Sequence, residues 1–407
     1  MIAAVPSTPR HICRLTTSSI PQRRATGFSP ACRSPGSAVI SWHGSAPPQT
    51  RSPSARPGSA EGDDVTAILP QHQHKPTGNA NDAVPVVSIE DVKVHFPVAR
   101  RSTLRAIDGV SLQVFEGEVL GIIGESGSGK STLGRAIVAL QKVTAGRILC
   151  DGVDLGRLRG KALRERRRGY QIVFQDPDGA LNPRLTILQS VREPIDIERQ
   201  GTQDERNHRA MACLDQVGLG PDFANRYPHQ LSGGQKQRVI IARVLTMRPR
   251  VVVCDEAVAA LDVSIQAEII NLFAGLQQKL GLTYVFISHD LNIVAHLSSR
   301  IAVMYLGVVV ELAPVEDLLS KPLHPYTLSL LQSRPDPVPA SMRTTQRETL
   351  KGEIPSALAP PSGCRFRTRC PRAEKICEDE VPAWDNPEPG RWVACHFAGD
   401  HRTKEFS

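Results

Sequence analysis

Residues 124–132 have a spacing of glycine, lysine and serine that suits the binding of a triphosphate. The pattern G-x-x-x-x-G-K-[ST] is formed by Gly124, Glu125, Ser126, Gly127, Ser128, Gly129, Lys130 and Ser131, and Thr132 follows. The glycines let successive backbone N–H groups turn inwards around phosphate oxygens, and a helix that begins near Lys130 adds its positive N-terminal end. Lys130 can reach the β- and γ-phosphates, and the Ser131 hydroxyl can bind Mg²⁺. A glycine-rich turn without a ligand is the alternative, which the strand expected before it and the helix expected after it disfavour.

Two adjacent carboxylates follow a short apolar run further along the chain. Val251-Val252-Val253-Cys254 leads directly into Asp255 and Glu256. A buried strand that ends at acidic residues places them at the carboxyl edge of a sheet, where ligands bind in α/β proteins. Asp255 can hold Mg²⁺ through water, and Glu256 can act as the general base that hydrolysis requires. Many strands end in acidic residues, so the pattern becomes specific only behind a phosphate-binding loop.

The elements that would position these groups alternate between strands and helices from residue 86 onwards. Strand-like alternation begins at Val86, and short Val/Ile-rich runs recur between helical patterns at 119–123, 251–254, 283–287 and 301–304. Such alternation predicts an α/β sheet that is covered on both faces. Near residue 335 the pattern gives way to a Pro-rich stretch, and residues 352–396 are rich in Cys and Pro.

With these elements in place, the chain resembles the ATP-binding-cassette (ABC) ATPases. Residues 231–235 read LSGGQ, the signature peptide of that family, and the other family motifs follow at Gln175 (Q-loop), Asp262 (D-loop) and His289 (switch histidine). Phe96 stands where the family stacks an aromatic ring on adenine. The resemblance implies a P-loop NTPase fold, with a mixed sheet core and a helical subdomain. It also implies that two cassettes enclose two ATP molecules, each signature peptide meeting the nucleotide held by the other subunit.

The resemblance implies a role for each motif residue. Catalysis would depend on Glu256, His289 and Gln175, and Mg²⁺ would be held by Ser131, Gln175 and Asp255. ATP would be bound by the loop 124–132 and by Phe96, Ser232, Gly233, Gly234, Gln235 and Asp262. Ala259 departs from the family pattern, because the D-loop usually has Ser there, with a hydroxyl that helps to bridge the dimer. Glu256 and His289 are intact, so we still expect ATP hydrolysis.

Several of these residues have a simpler interpretation when they are considered alone. Phe96 is also compatible with a core aromatic residue, and His289 with a structural histidine. Ser232 is also compatible with a plain helix N-cap. That cap geometry would itself present backbone N–H groups, those after Gly233 and Gly234, to an anion.

Two segments, Gly234-Gln235-Lys236-Gln237-Arg238 and Glu256-Ala257-Val258, resemble the "F" type of the two paired ATPases of oligopeptide/dipeptide importers more than the "D" type. Further segments resemble these importers in general. They are Phe174-Gln175-Asp176-Pro177, Leu181-Asn182-Pro183-Arg184, Arg226-Tyr227-Pro228-His229-Gln230 and Leu323-His324-Pro325-Tyr326-Thr327. The resemblance implies a peripheral subunit at the cytoplasmic face of the inner (plasma) membrane that energises the import of di- or oligopeptides. Its implied partners are a second ABC ATPase in a heterodimer, two transmembrane permeases and an extracytoplasmic peptide-binding protein. Import of nickel or another small solute is one alternative, and a soluble ABC ATPase that acts on ribosomes or DNA damage is another.

Four cysteines near the C-terminus form a C-x₅-C-x₆-C-x₁₇-C set, namely Cys364, Cys370, Cys377 and Cys395. Four thiolates can satisfy Zn²⁺ or an iron–sulfur cluster, and some relatives with such a tail hold a 4Fe–4S cluster. Four reduced thiols that pack a small Pro-rich lobe are the alternative. A disulfide framework is disfavoured, because the ATPase motifs require the cytosol, where thiols stay reduced.

Composition and charge limit other functions. The 407 residues are 40% hydrophobic and 22% charged, as in globular proteins, and no apolar run approaches the ~18–20 residues that cross a bilayer. The net charge is +8, but seven Arg lie in residues 1–60, which have no acidic residue. The remaining chain has 42 basic and 41 acidic residues, which gives no argument for a nucleic-acid partner.

The first 85 residues have too few large apolar side chains to offset the entropy of ordering them. We therefore predict a disordered basic tail over 1–85, with a transit peptide or a start codon assigned too far upstream as alternatives. The ABC ATPase domain is predicted over 86–335. A small Cys/Pro-rich extension of the oligopeptide-transporter type is predicted over 336–407.

Overall fold

The computed structural model describes residues 84–99, 102–333 and 352–399. These residues belong to one compact unit of the chain. The predicted tail over 1–85 lies outside the described residues, apart from Val84 and Pro85, as do residues 336–351 of the predicted extension. Among the helices of the described ranges, none is long and apolar enough to cross a bilayer.

The described residues form twelve strands and eleven α-helices, which alternate along much of the chain. The strands are β1 (Val87–Ala99), β2 (Ser102–Val114), β3 (Val119–Ile123), β4 (Ala145–Cys150), β5 (Val153–Asp154), β6 (Tyr170–Val173), β7 (Val251–Asp255), β8 (Thr283–Ile287), β9 (Arg300–Tyr305), β10 (Val308–Pro314), β11 (Asp385–Glu388) and β12 (Arg391–Val393). The helices are α1 (Lys130–Ile137), α2 (Gly160–Arg167), α3 (Pro177–Ala180), α4 (Ile187–Ile197), α5 (Gln203–Gln216), α6 (Gly233–Leu245), α7 (Val263–Leu280), α8 (Leu291–Leu297), α9 (Val315–Ser320), α10 (Pro325–Gln332) and α11 (Lys375–Asp379). The predicted α/β class is confirmed.

Five parallel strands form one side of the larger sheet. Its strand order is β11-β12-β10-β9-β3-β8-β7-β6, in which β6, β7, β8, β3 and β9 run parallel and the remaining pairs are antiparallel. Ile287 of β8 pairs with Ile122 of β3 on one side and with Asp255 of β7 on the other. Because parallel strands end at the same edge of a sheet, the residues that follow β3, β8, β7 and β6 are brought together there.

The central strands are buried on both faces, which their continuous apolar sequences predict. Every residue of β3, β7 and β8 is buried. Val251 and Val253 of β7 enter the core that includes α1 and the smaller sheet, whereas Val252 and Cys254 enter the core that includes α6 and α7. This division follows from the two-residue period of a strand.

The smaller sheet is antiparallel, with the order β2-β1-β4-β5. It contacts the larger sheet through Gly307, in the turn between β9 and β10. The Gly307 N–H donates to the Ser128 carbonyl (2.9 Å), and the Gly307 carbonyl accepts from the Asp108 N–H of β2 (2.8 Å). The turn therefore ties the loop at 124–129 to the smaller sheet.

A helical subdomain follows β6 and consists mainly of α4, α5 and α6, which contact one another. Each of the three begins with a capping box, in which a Thr or Ser hydroxyl accepts from a backbone N–H three residues later. These caps are Thr186, Thr202 and Ser232. An N-cap of this kind stabilises a helix by about 1 kcal/mol. The expected mixed sheet core with a helical subdomain is therefore observed.

The segment 352–399, which we name the C-terminal lobe, extends the larger sheet. β12 pairs antiparallel with β10, placing Trp392 opposite Leu312, and β11 continues the sheet beyond β12. Phe366 of the lobe is buried and contacts Tyr305 and Tyr326. Sequence analysis did not predict this pairing, because strands of four and three residues, Asp385–Glu388 and Arg391–Val393, carry no recognisable alternation.

Candidate active site

Four segments that follow adjacent parallel strands form the candidate site. The loop 124–129 follows β3, His289 follows β8, Asp255 and Glu256 lie at the end of β7, and Gln175 follows β6. The strand order β3-β8-β7-β6 places these groups side by side at the carboxyl edge. The sheet thus brings the main sequence-predicted groups into one region.

The loop 124–129 adopts a backbone that requires glycine at defined points. Gly129 has a φ of +102°, and a Cβ there would lie 2.3 Å from the carbonyl oxygen of Ala106. Gly127 also has a positive φ, of +79°, but a Cβ there would meet open space. The Ser128 hydroxyl is buried and has no hydrogen-bond partner among the described residues. An open concave side and an unpaired buried hydroxyl fit a loop whose polar groups are completed by a bound phosphate.

Lys130 lies at the first position of α1, with its ammonium folded back on the loop. Its Nζ donates to the carbonyl oxygens of Gly124 (2.7 Å) and Glu125 (3.0 Å). An ammonium has three N–H donors, so one remains for a ligand. Burial lowers the pKa of Lys130 from its ordinary value. The carboxylates of Glu256, Asp255 and Glu125 oppose this shift, which shows that they lie near the ammonium.

Ser131 and Asp255, which are predicted to hold Mg²⁺, lie within hydrogen-bond distance of each other. The Ser131 hydroxyl donates to Asp255 Oδ1 at 2.6 Å, and the Arg135 guanidinium lies 3.8 Å from Oδ2. Burial raises the pKa of Asp255, and the hydrogen bond from Ser131 partly offsets that rise. A hydroxyl and a carboxylate at hydrogen-bond distance are the donor chemistry that Mg²⁺ prefers, so these residues fit the ion.

Glu256 and His289 face each other at the ends of β7 and β8. His289 Nδ1 lies 3.6 Å from Glu256 Oε1, with side chains that are 61% and 21% exposed. Glu256 has a φ of +49°, and its N–H donates to the Ile287 carbonyl at 3.0 Å. A left-handed backbone at a non-glycine residue costs on the order of 1–3 kcal/mol and is characteristic of functional sites.

The remaining motif residues lie around this centre. Gln175 is exposed, and Phe96 is partly buried on β1. Asp262 is exposed at the start of α7, where its carbonyl, but not its side chain, accepts a helix N–H. The N–H of Ala259 donates to the Glu256 carbonyl at 3.1 Å, so the backbone forms a turn between Glu256 and the start of the D-loop. The structure gives no contact of the Gln175, Phe96 or Asp262 side chain with Glu256 or Lys130. The roles of these three residues stay predictions.

The signature peptide forms the start of α6. The Ser232 hydroxyl accepts from the Gln235 N–H (3.3 Å), and the Gln235 side chain accepts from the Ser232 N–H (3.0 Å). The Gln235 N–H, which we expected to face an anion, is therefore engaged in the cap. Ser232 and Gly233 are exposed, whereas Gly234 is buried against Ile265 of α7.

Sequence analysis missed the contacts of Glu125. Its carboxylate binds the guanidinium of Arg369 in the C-terminal lobe, and its N–H donates to the hydroxyl of Tyr326 at 2.9 Å. The side chain and the N–H of Glu125 are thus engaged by the protein, although its position in the loop suggested a phosphate ligand. Tyr326 lies in the segment 323–327, which resembles the importers. That resemblance did not indicate that Tyr326 contacts Glu125.

The four cysteines of the C-terminal lobe lie near one another. The Cys364 N–H donates to the Cys377 carbonyl at 2.8 Å. Burial raises the pKa of Cys370 to about 11 and that of Cys395 to about 12, and the neighbouring thiols add to both shifts. In the part of the chain that the structure describes, however, no group of three or more His, Cys, Asp or Glu side chains is arranged to hold a metal ion. The geometry therefore does not support the predicted zinc or iron–sulfur site.

Comparison with family models gives two matches. Residues 107–259 match the family described as ABC transporter. Residues 310–377 match the family described as oligopeptide/dipeptide transporter, C-terminal region. The second match begins at β10 and ends at Cys377, so it includes parts of both the sheet and the C-terminal lobe.

Relatives that are matched over almost their whole length decide the assignment. A putative peptide import ATP-binding protein of Brucella ovis is 48% identical over 311 residues, which cover 76% of this chain and 97% of the relative. The oligopeptide transport ATP-binding protein AppF of Bacillus subtilis is 47% identical over 319 residues, which cover 77% of this chain and 97% of AppF. The chain belongs to the ABC transporter ATPases.

Solved structures agree with this assignment. The ABC ATPase described here is similar to a dimeric ATP-binding cassette in a post-hydrolysis state, bound to ADP and phosphate, with a TM-score of 0.52 and 34% identity over 56% of this chain and 98% of that one. It is also similar to cbiO1 of Clostridium perfringens, with a TM-score of 0.53 and 31% identity over 58% and 91% of the two chains.

The two glycines of the signature peptide provide a test of the α6–α7 contact. A Cβ on Gly234 would lie 2.4 Å from Ile265 Cγ2, whereas one on Gly233 would lie 3.4 Å from Leu261 Cδ2. We expect Gly234→Ala to lower the free energy of unfolding by about 1–3 kcal/mol through overpacking. Gly233→Ala is the matched control and should be close to wild type in urea denaturation. Equal stability of the two variants would contradict the close contact.

Proposed function

We propose that this ABC ATPase hydrolyses ATP to energise the import of di- or oligopeptides through a membrane transporter. The observation that carries the proposal is the match of residues 310–377 to the C-terminal region of oligopeptide/dipeptide transporters, on the chain that also matches the ABC family. The relatives from Brucella ovis and Bacillus subtilis are named for peptide import and oligopeptide transport, and they cover 76% and 77% of this chain.

The proposed hydrolysis uses groups that already lie at one edge of the sheet. Lys130 binds the β- and γ-phosphates with the donor that its two loop carbonyls leave unused. Glu256 accepts a proton from the attacking water, and His289, 3.6 Å away, donates to the γ-phosphate. Ser131, Asp255 and Gln175 would hold Mg²⁺, which would supply charge neutralisation on the phosphate oxygens.

The proposed site is completed by a second ATPase subunit. The exposed Ser232 and Gly233 at the start of α6 would contact the nucleotide held by the partner, and a helix start favours such an anion. Asp262 is exposed and the adjacent Val263 is 83% exposed, so this end of the D-loop is accessible for the same interface. The dimeric state of a similar solved cassette supports this arrangement. We propose a heterodimer with a related ATPase, as the resemblance to the "F" type implies.

The membrane partners follow from the proposed function. Two permeases would bind the ATPase pair at the cytoplasmic face of the inner membrane, where the subunit would be peripheral. An extracytoplasmic peptide-binding protein would deliver the solute to the permeases. Peptide specificity would then reside in these partners, since the ATPase never touches the transported solute.

The four cysteines are the subject of a separate proposal, that their thiols bind Zn²⁺ or a 4Fe–4S cluster. Its support is the donor chemistry and the nearness of Cys364, Cys370, Cys377 and Cys395, because each of the other three thiols raises the pKa of Cys395. The placement of the side chains is not itself that of a metal site. We propose no step of ATP hydrolysis that passes through this group.

Removing the Glu256 carboxylate should separate ATP binding from hydrolysis. We expect Glu256→Gln in the assembled transporter to keep ATP binding and to lower phosphate release by about 10²–10⁴-fold, because the general base is lost. Lys130→Ala should instead lose ATP binding, which nucleotide titration of the same complex measures. Hydrolysis by Glu256→Gln at the wild-type rate would show that the base is another residue.

The transport proposal is tested with the complete complex. We expect the affinity-tagged chain to co-purify with two polytopic permeases and a second ATPase. Proteoliposomes of this complex, with the binding protein, should take up labelled tri- and tetrapeptides and should hydrolyse ATP faster in their presence. Uptake of Ni²⁺ without peptide would favour the alternative solute, and recovery of the chain with ribosomes alone would contradict a transport function.

Elemental analysis tests the cysteine proposal. The full chain, purified without oxygen, should contain iron or zinc in an amount stoichiometric with protein, and Cys370→Ser should lose it. Cys213→Ser is the matched control, because Cys213 is a buried thiol of α5 outside the lobe. A wild-type chain without either metal would leave the four cysteines as reduced packing residues.

A further inference from the structure

Arg369 of the C-terminal lobe binds Glu125 of the phosphate-binding loop through two parallel hydrogen bonds. Nη1 lies 2.6 Å from Glu125 Oε2, and Nη2 lies 3.0 Å from Oε1. The Arg369 side chain is only 7% exposed and that of Glu125 is 23% exposed. Bidentate guanidinium–carboxylate pairs of this kind are strong and directional. The lobe therefore contacts the ATP site directly, across 244 residues of sequence.

The surroundings fix both members of the pair. The Glu125 N–H donates to the Tyr326 hydroxyl at 2.9 Å, and the Arg369 guanidinium carbon lies 5.9 Å from the ring centroid of Tyr305. Tyr305 and Tyr326 pack with Phe366 of the lobe, with ring centroids 5.3 Å apart in both contacts with Phe366. The guanidinium is therefore held in one geometry, so little conformational freedom remains to be lost when it binds Glu125.

The charge of Glu125 is unfavourable for the ligand of its own loop. Its carboxylate is close enough to act on the Lys130 ammonium, together with Asp255 and Glu256. A triphosphate in the loop is repelled by each uncompensated carboxylate nearby, and more strongly where water is excluded. The guanidinium of Arg369 compensates the Glu125 charge at contact distance.

We propose that Arg369 is a positioning residue for ATP. By binding Glu125 it cancels a carboxylate charge in the phosphate-binding loop and orients the first turn of that loop. The affinity of the ATPase for nucleotide then depends on the C-terminal lobe being docked. This role extends beyond the proposed hydrolysis, in which the lobe takes no part, and it rests on the loop at 124–132 being the ATP site.

Other contacts keep the lobe in place when this pair is removed. β12 pairs with β10, and the Arg365 guanidinium donates to Asp108 and to the Leu306 carbonyl. The Arg105 N–H also donates to the Ala357 carbonyl at 3.2 Å. A single substitution of Arg369 should therefore leave the lobe docked and change mainly the electrostatics of the loop.

The first test is the nucleotide affinity of the full chain with Arg369→Gln, measured by titration with a fluorescent ATP analogue. We expect the dissociation constant to rise about tenfold at low ionic strength, since Glu125 is left uncompensated. The loss should shrink as salt is added, because screening weakens the repulsion. In the assembled complex the KM for ATP should rise, while kcat should change less than about twofold.

A double-mutant cycle identifies the cause. Glu125→Gln alone should bind ATP at least as tightly as wild type, since the amide oxygen still accepts from Arg369 and the carboxylate charge is gone. In the background of Glu125→Gln, adding Arg369→Gln should return the affinity to about the wild-type value, because both members of the ion pair are then neutral. A weaker affinity of Glu125→Gln alone, or a double variant that binds ATP as weakly as Arg369→Gln alone, would overturn the proposal. Glu125→Gln also keeps the test decisive if Arg369→Gln fails to fold.

Two controls separate this role from others. Arg367 lies in the same lobe but donates to Ser362 and pairs with Glu378 inside it, so Arg367→Gln should bind ATP as wild type does. An equal loss in Arg367→Gln would indicate general damage to the lobe and would overturn a specific role of Arg369.

Lys130→Ala tests the ATP site itself. Loss of binding there, with unchanged binding in Arg369→Gln, would refute only the inference about Arg369.

Discussion

The parallel pairing of β3, β8, β7 and β6 is the constraint on which the rest of this protein depends. The pairing aligns the carboxyl ends of four strands, and each end is followed by a different group of the candidate site. Parallel neighbours need crossover connections that cover both faces of the sheet, so the strands must be apolar throughout. The same property that makes these strands a buried core therefore leaves only their carboxyl edge free for polar groups.

Negative charge is concentrated at that edge, and only a few cationic groups and hydrogen-bond donors balance it. Lys130 is partly desolvated and lies near three carboxylates, of Glu125, Asp255 and Glu256. Asp255 is paired with the Ser131 hydroxyl and lies near Arg135, and Glu125 is paired with Arg369. Glu256 differs from these two carboxylates, because the group that faces it, at 3.6 Å, is the imidazole of His289.

The C-terminal lobe is part of the cassette in a structural sense. It extends the larger sheet through β12 and packs Phe366 against both Tyr305 and Tyr326. The family match at 310–377 crosses the boundary between sheet and lobe, which is consistent with one structural unit. An extension attached in this way can influence the nucleotide loop without any change in the loop sequence.

Local patterns were sufficient to identify the glycine-rich loop, the buried strand that ends at Asp255, the N-cap at Ser232 and the α/β class, because each depends on residues within one or two elements. They were also sufficient, through the order of several such motifs, to indicate the ABC family. The contacts of Glu125 with Arg369 and Tyr326, the pairing of β12 with β10, and the arrangement of the four cysteine side chains were not accessible in this way. Each of them joins segments that are distant along the chain, and which partners meet is decided by how the sheets and the lobe pack together.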